Sequence, residues 1–93
     1  MPEQVAAVVG EEDSYIKLGK GRKVSIEFLP GVVDAAHVAK VIGAQVGTTV
    51  GSKSSPPTVF FQWDDSLDDR NVDFALKLAQ TTYEGKIKSI GFK

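Results

Sequence analysis

Hydrophobic and polar positions alternate twice in the first third of the chain. In SYIKLG (14–19), Ile16 and Leu18 fall on one side and Tyr15 and Lys17 on the other. In RKVSIEFL (22–29), Val24, Ile26 and Phe28 oppose Lys23, Ser25 and Glu27. A period of two predicts strands with one buried face. The intervening GKG (19–21) offers the positive φ that a tight reversal needs. Residues 14–29 are therefore expected to form a β-hairpin.

PG (30–31) ends the strand, and the period then changes. Asp34 is placed to cap a helix, with Val33 and Val38 at the spacing of a hydrophobic staple. Val38, Val41, Ile42 and Gln45 share one face, and Gly47 is a natural stop, so a helix is expected over 34–46. TTVGSKSSPPT (48–58) reads as a loop, mobile around 51–57, with Thr48–Val50 offering at most a short strand. TVFFQW (58–63) is rich in aromatic and β-branched residues on both faces, as a central strand should be. Val72, Ala75, Leu76, Ala79 and Tyr83 then define a second helix over about 66–83, ended by Gly85. KIKSIGFK (86–93) is a last strand, with Gly91 a candidate bulge. VAAVV (5–9) fits either a short strand or a frayed terminus.

These elements predict an α+β fold: a two-layer α/β sandwich with two helices on one face of a four- or five-stranded, mostly antiparallel sheet. If 48–50 is a strand, residues 22–92 take the β–α–β–β–α–β, ferredoxin-like order. The chain's 93 residues fit a single domain, 1–93, with 1–13 expected to be weakly ordered. Such a length buries roughly 60–65% of its unfolded surface, enough for one core.

Composition narrows the function more than the fold. The 42% hydrophobic and 25% charged fractions are those of an ordinary globular protein. With no cysteine, the chain can offer no disulfide, zinc–thiolate centre or thiol nucleophile. MPEQVAAVVGEED lacks the basic start of a secretory leader, and no apolar run approaches the ~20 residues of a membrane span. A cytoplasmic protein is expected.

The net charge of −1 hides a segregated distribution. Glu3, Glu11, Glu12 and Asp13 make the first block acidic. Lys17, Lys20, Arg22 and Lys23 make the next one basic. Asp64, Asp65, Asp68, Asp69 and Asp73 surround Arg70, and Lys86, Lys88 and Lys93 close the chain. The spacing of the aspartates in DDSLD would let carboxylates share a hard cation. The same residues, with Ser66 or Asp65 as cap, suit the first turn of a helix, where the dipole favours anions by about 0.3–1 kcal/mol each. Capping is the simpler account, and no metal or cofactor is expected.

Three surfaces remain. One is the basic tip KLGKGRK (17–23), able to meet phosphate. Another is the open sheet face, expected to carry Tyr15, Lys17, Lys23, Ser25, Glu27, Phe60 and Gln62 with Lys86 and Lys88. Aromatics among bases suit single-stranded nucleic acid, and Tyr and Phe also anchor protein interfaces. The third is the acidic start of the second helix: Asp64, Asp65, Asp68 and Asp69. The stripe Ala35, Ala39, Gly43, Gly47 points to close packing or a helix contact with a partner. The sole histidine, His37, has no cysteine or second histidine with which to build a usual triad or zinc site, and is expected to be an exposed first-turn residue. The expectation is a non-enzymatic protein-interaction module that docks a protein or a second copy, with no small-molecule substrate and no membrane. Nucleic-acid binding through 17–23 and the C-terminal strand is the alternative.

Overall fold

Alternation dictates the centre of the sheet. The structure, a computed structural model, describes residues 15–93. The expectations for residues 1–13, including VAAVV (5–9), lie outside the described residues. Strand β1 (Lys23–Phe28) buries Val24, Ile26 and Phe28 completely. β1 follows a single helical turn, α1 (Ile16–Gly19), and precedes helix α2 (Ala35–Val46). Strands β2 (Gly51–Ser54) and β3 (Pro57–Gln62), helix α3 (Asp69–Thr82) and strand β4 (Ile87–Phe92) complete the chain.

Among the described residues the sheet has four strands in the order β2-β3-β1-β4, every pair antiparallel. Val24 stands opposite Phe61 and Phe92, and Ile26 opposite Val59 and Ile90. Their buried side chains meet those of the helices: Ala35, Val38, Ala39, Ile42 and Val46 from α2, and Val72, Ala75, Leu76 and Ala79 from α3. The result is the expected two-layer α+β sandwich. No helix among the described residues is long and apolar enough to cross a membrane.

The caps explain the helix boundaries. Asp34 accepts from the N–H groups of Ala36 and His37, and Gly47 closes α2 at φ +81°, the left-handed conformation that only glycine adopts cheaply. Gly43 answers a different need. A Cβ there would stand 2.8 Å from the Thr48 carbonyl oxygen, so the missing side chain lets the chain turn back tightly toward β2. Within the fold, then, the small-residue stripe serves close packing.

Four expectations are corrected. First, 14–29 is not a hairpin, because Ile16–Gly19 is helical. Leu18 and Gly19 both donate to the Tyr15 carbonyl, and Tyr15 is tied to α3 by its own N–H to Asp73 Oδ1 (2.6 Å) and its hydroxyl to Gln80 Oε1 (2.6 Å). Gly19 lacks a side chain because Phe92 and Trp63 fill that space, its Cβ position lying 2.5 Å from one ring and 2.8 Å from the other.

Second, 51–57 is not a loop: β2 and β3 pair from Gly51↔Phe60 to Ser54↔Pro57 around a two-residue reversal at Ser55 and Pro56, and the added strand is 51–54, not 48–50. Third, α3 is capped by Asp68, whose carboxylate accepts from Arg70 N–H. Asp64 instead organises a preceding turn, accepting from the N–H and hydroxyl of Ser66, while Leu67 N–H donates to the Asp64 carbonyl. Fourth, the bulge is not at Gly91. The register shifts between Glu27 and Phe28 of β1, opposite Ser89 and Ile87, which leaves Lys88 as the extra residue on β4.

Candidate ligand-binding face

The sheet pairing fixes which side chains share the face that no described helix covers. Gly51 lies beside Phe60, Phe60 beside Ser25, and Ser25 beside Gly91, forming one row across all four strands. On one side of it, Gln62 pairs with Lys23, and Lys23 and Lys93 exchange two backbone hydrogen bonds of 2.9 Å. On the other side run Lys53, Thr58, Glu27 and Ser89. Directly opposite residues point to the same face, so three lysines flank one aromatic ring.

A depression of about 250 Å³ opens at this point, lined by Lys23, Ser25, Lys53, Thr58, Phe60 and Lys93. Its volume lies below the ~300–1,000 Å³ of enclosed small-molecule pockets. It is a shallow, surface-facing site. Lys23 Nζ sits 5.0 Å from the Phe60 ring centroid, within cation–π range. Thr58 is nearly buried and satisfies its hydroxyl on the Pro56 carbonyl at 2.9 Å.

The face is electrostatically one-sided. Among the described residues Glu27 is its acid, and Lys88 pairs with it at 3.6 Å. Among the described residues, Lys23, Lys53 and Lys93 have no carboxylate partner within ion-pair distance.

The other residues expected to bind a partner fall elsewhere. Tyr15, expected on the open face, is fully buried on the helix side, where burial and then the charge of Asp73 push its hydroxyl up to about 12. Lys17 belongs to α1 on that same side. Lys20 bonds Asp69 Oδ2 at 2.8 Å and approaches Asp65 at 3.9 Å, so the basic tip and the acidic helix start partly neutralise one another. Arg22 precedes β1, and its carbonyl accepts the Trp63 N–H. Lys86 lies at the far end of the sheet from Lys23, its carbonyl accepting the Leu29 N–H.

The aspartates mostly serve the fold. A hydrogen bond from the Ser66 hydroxyl, then one from its N–H, hold Asp64 below the usual carboxylate range. Asp69 is held low first by Lys20 and then by Trp63 Nε1–H, which donates to Oδ1 at 3.0 Å. Lys20 is correspondingly held protonated by Asp69. Asp68 caps α3, and Asp65 points into solvent, its side chain 96% exposed. Among the described residues, no three acidic or histidine side chains converge as metal ligands.

Sequence reading missed Lys53 and undervalued Lys93. The signal for Lys53 was the turn pair Ser55-Pro56, which sets Lys53 across from Thr58, two residues from Phe60. No protein-family model, curated protein or solved structure matches the chain.

Proposed function

We propose that this chain is a non-enzymatic binding module that takes single-stranded nucleic acid across the open face of its sheet. The observation that carries the reading is the pairing of Lys23 with Lys93. Two like charges directly opposite each other on neighbouring strands are destabilising. Here they stand beside Lys53, and among the described residues no carboxylate side chain lies within ion-pair distance of any of the three. An external polyanion relieves that repulsion, and Phe60 between the lysines offers a π-face to an unpaired base.

Docking of a protein through the acidic start of α3 has less support. Asp64, Asp68 and Asp69 are already engaged by Ser66, Arg70 N–H, Lys20 and Trp63.

The test is a titration of labelled single-stranded oligonucleotides over a range of salt. Three lysines meeting phosphates give a slope of log K against log salt of about −2, and Lys53→Ala makes it shallower by about 0.7. Absence of binding at low salt refutes the reading.

A further inference from the structure

Resting on that reading, we infer that the face accepts one base and no more, and that Gly51 is the residue that shapes its seat. Gly51 is the cross-strand neighbour of Phe60, and the aromatic ring lies over it. A side chain at position 51 would overlap Phe60 Cε1 and stand 2.7 Å from Cζ and 3.1 Å from Cδ1. The bare backbone of β2 therefore leaves room for the ring against Gly51, with Lys23 Nζ over the ring at 5.0 Å from its centroid.

The rest of the row keeps the ring clear. Across β1 and β4 the neighbours are Ser25 and Gly91, neither of which can rise beside a planar ligand. Phe60 is the only aromatic residue in the row, and no aromatic residue occupies the flanking rows among the described residues. The lysines stand on both sides. Lys23 and Lys93 lie in the row of Gln62, and Lys53 in the row of Thr58, four residues apart along β3 or about 13 Å. A nucleotide strand crossing these rows can place phosphates at both ends while one base rests on the ring between them. Lys23 must swing off the ring as the base arrives, and the phosphate beside that base is the partner it then meets.

Five-nucleotide oligomers separate this from the wider reading. One oligomer is wholly abasic, one carries a single central adenine, and one carries five adenines. The single adenine should tighten binding roughly 5- to 150-fold over the abasic chain, the range of one base stacked on one aromatic ring. Five adenines should add no more than the statistical gain of a few registers. Gly51→Val should lift the ring and erase the advantage of the single adenine, so that the abasic and single-adenine oligomers bind alike. Phe60→Leu should do the same without touching β2, which guards against a folding defect in the valine variant.

Equal binding of the abasic and single-adenine oligomers overturns the one-base seat while leaving phosphate-driven binding in place. So does a further tenfold gain from five adenines, or an adenine advantage that survives Gly51→Val and Phe60→Leu. Failure of all three oligomers to bind at low salt overturns both the seat and the proposed function.

Discussion

The indole N–H of Trp63 donates to Asp69 Oδ1 at 3.0 Å, across the junction between β3 and α3. Trp63 is completely buried, so this bond satisfies a donor that water cannot reach. The other Asp69 oxygen holds Lys20 at 2.8 Å. One carboxylate thus joins the end of the central strand, the first turn of a helix and the segment before β1.

Asp69→Ala should lower stability by about 1–3 kcal/mol, because it strands the buried indole donor. Asp69→Asn keeps an acceptor for the indole and loses only the charge toward Lys20, so its cost should be smaller. Urea unfolding followed by tryptophan fluorescence checks both. A cost for alanine no larger than that for asparagine would remove the indole bond from the account.

Acid should act through the same residue. The folded state holds Asp69 and Asp64 below the ordinary carboxylate range. Their contribution is present above the unfolded value of about 4 and is lost as pH falls through the lower folded values. Urea midpoints measured from pH 6 to pH 2 should decline in that window, and Asp69→Asn should flatten part of the decline.

At the alkaline end the sign follows from Tyr15. Its folded value is raised to about 12 against an ordinary 10.0. The neutral hydroxyl therefore contributes fully below pH 10, and roughly 2–3 kcal/mol is lost as pH rises from 10 to 12. Tyr15→Phe should abolish this part of the loss. At neutral pH the same variant should cost about 1 kcal/mol for the missing bond to Gln80. Lys20, held protonated by Asp69, adds a loss of the same sign that the variant retains.

Gly43→Ala sets two effects against each other. Alanine gains about 0.8–1 kcal/mol of helix propensity over glycine. The new methyl group, however, meets the Thr48 backbone oxygen at 2.8 Å, and backbone gives way less readily than a side chain. Net destabilisation of about 1–2 kcal/mol is expected, of the size seen for overpacking. Thermal unfolding with a raised midpoint would reverse that conclusion.

The sequence announced the buried face of the sheet and most of both long helices, because those signals repeat over many residues. Asp34 and Gly47 marked the ends of α2 by chemistry that works locally. Tyr15–Leu18 deceived because so short a run cannot tell a period of two from a single helical turn. What decides between them is a contact with Asp73 and Gln80, far along the chain. Strand β2 was silent for another reason. Gly51, Ser52, Lys53 and Ser54 pair through backbone alone at the margin of the sheet and contribute no side chain to the fully buried core. Of the candidate site, Phe60 and Lys23 were visible as outward residues. Lys53 and the lysine pair across β1 and β4 needed strand order to bring them together.

Strand β4 is the margin opposite β2, and its Lys88 bulge has a bearing on self-association. A sheet margin with a straight run of free amide groups is a template for unwanted growth by strand addition. The extra residue at Lys88 interrupts the hydrogen-bonding rhythm, and its side chain pairs back onto Glu27 instead of reaching outward. At the other margin, β2 is a short, exposed strand that carries a charge at Lys53. Among the described residues, both borders of the sheet thus carry charge or irregularity, the features that discourage growth by strand addition.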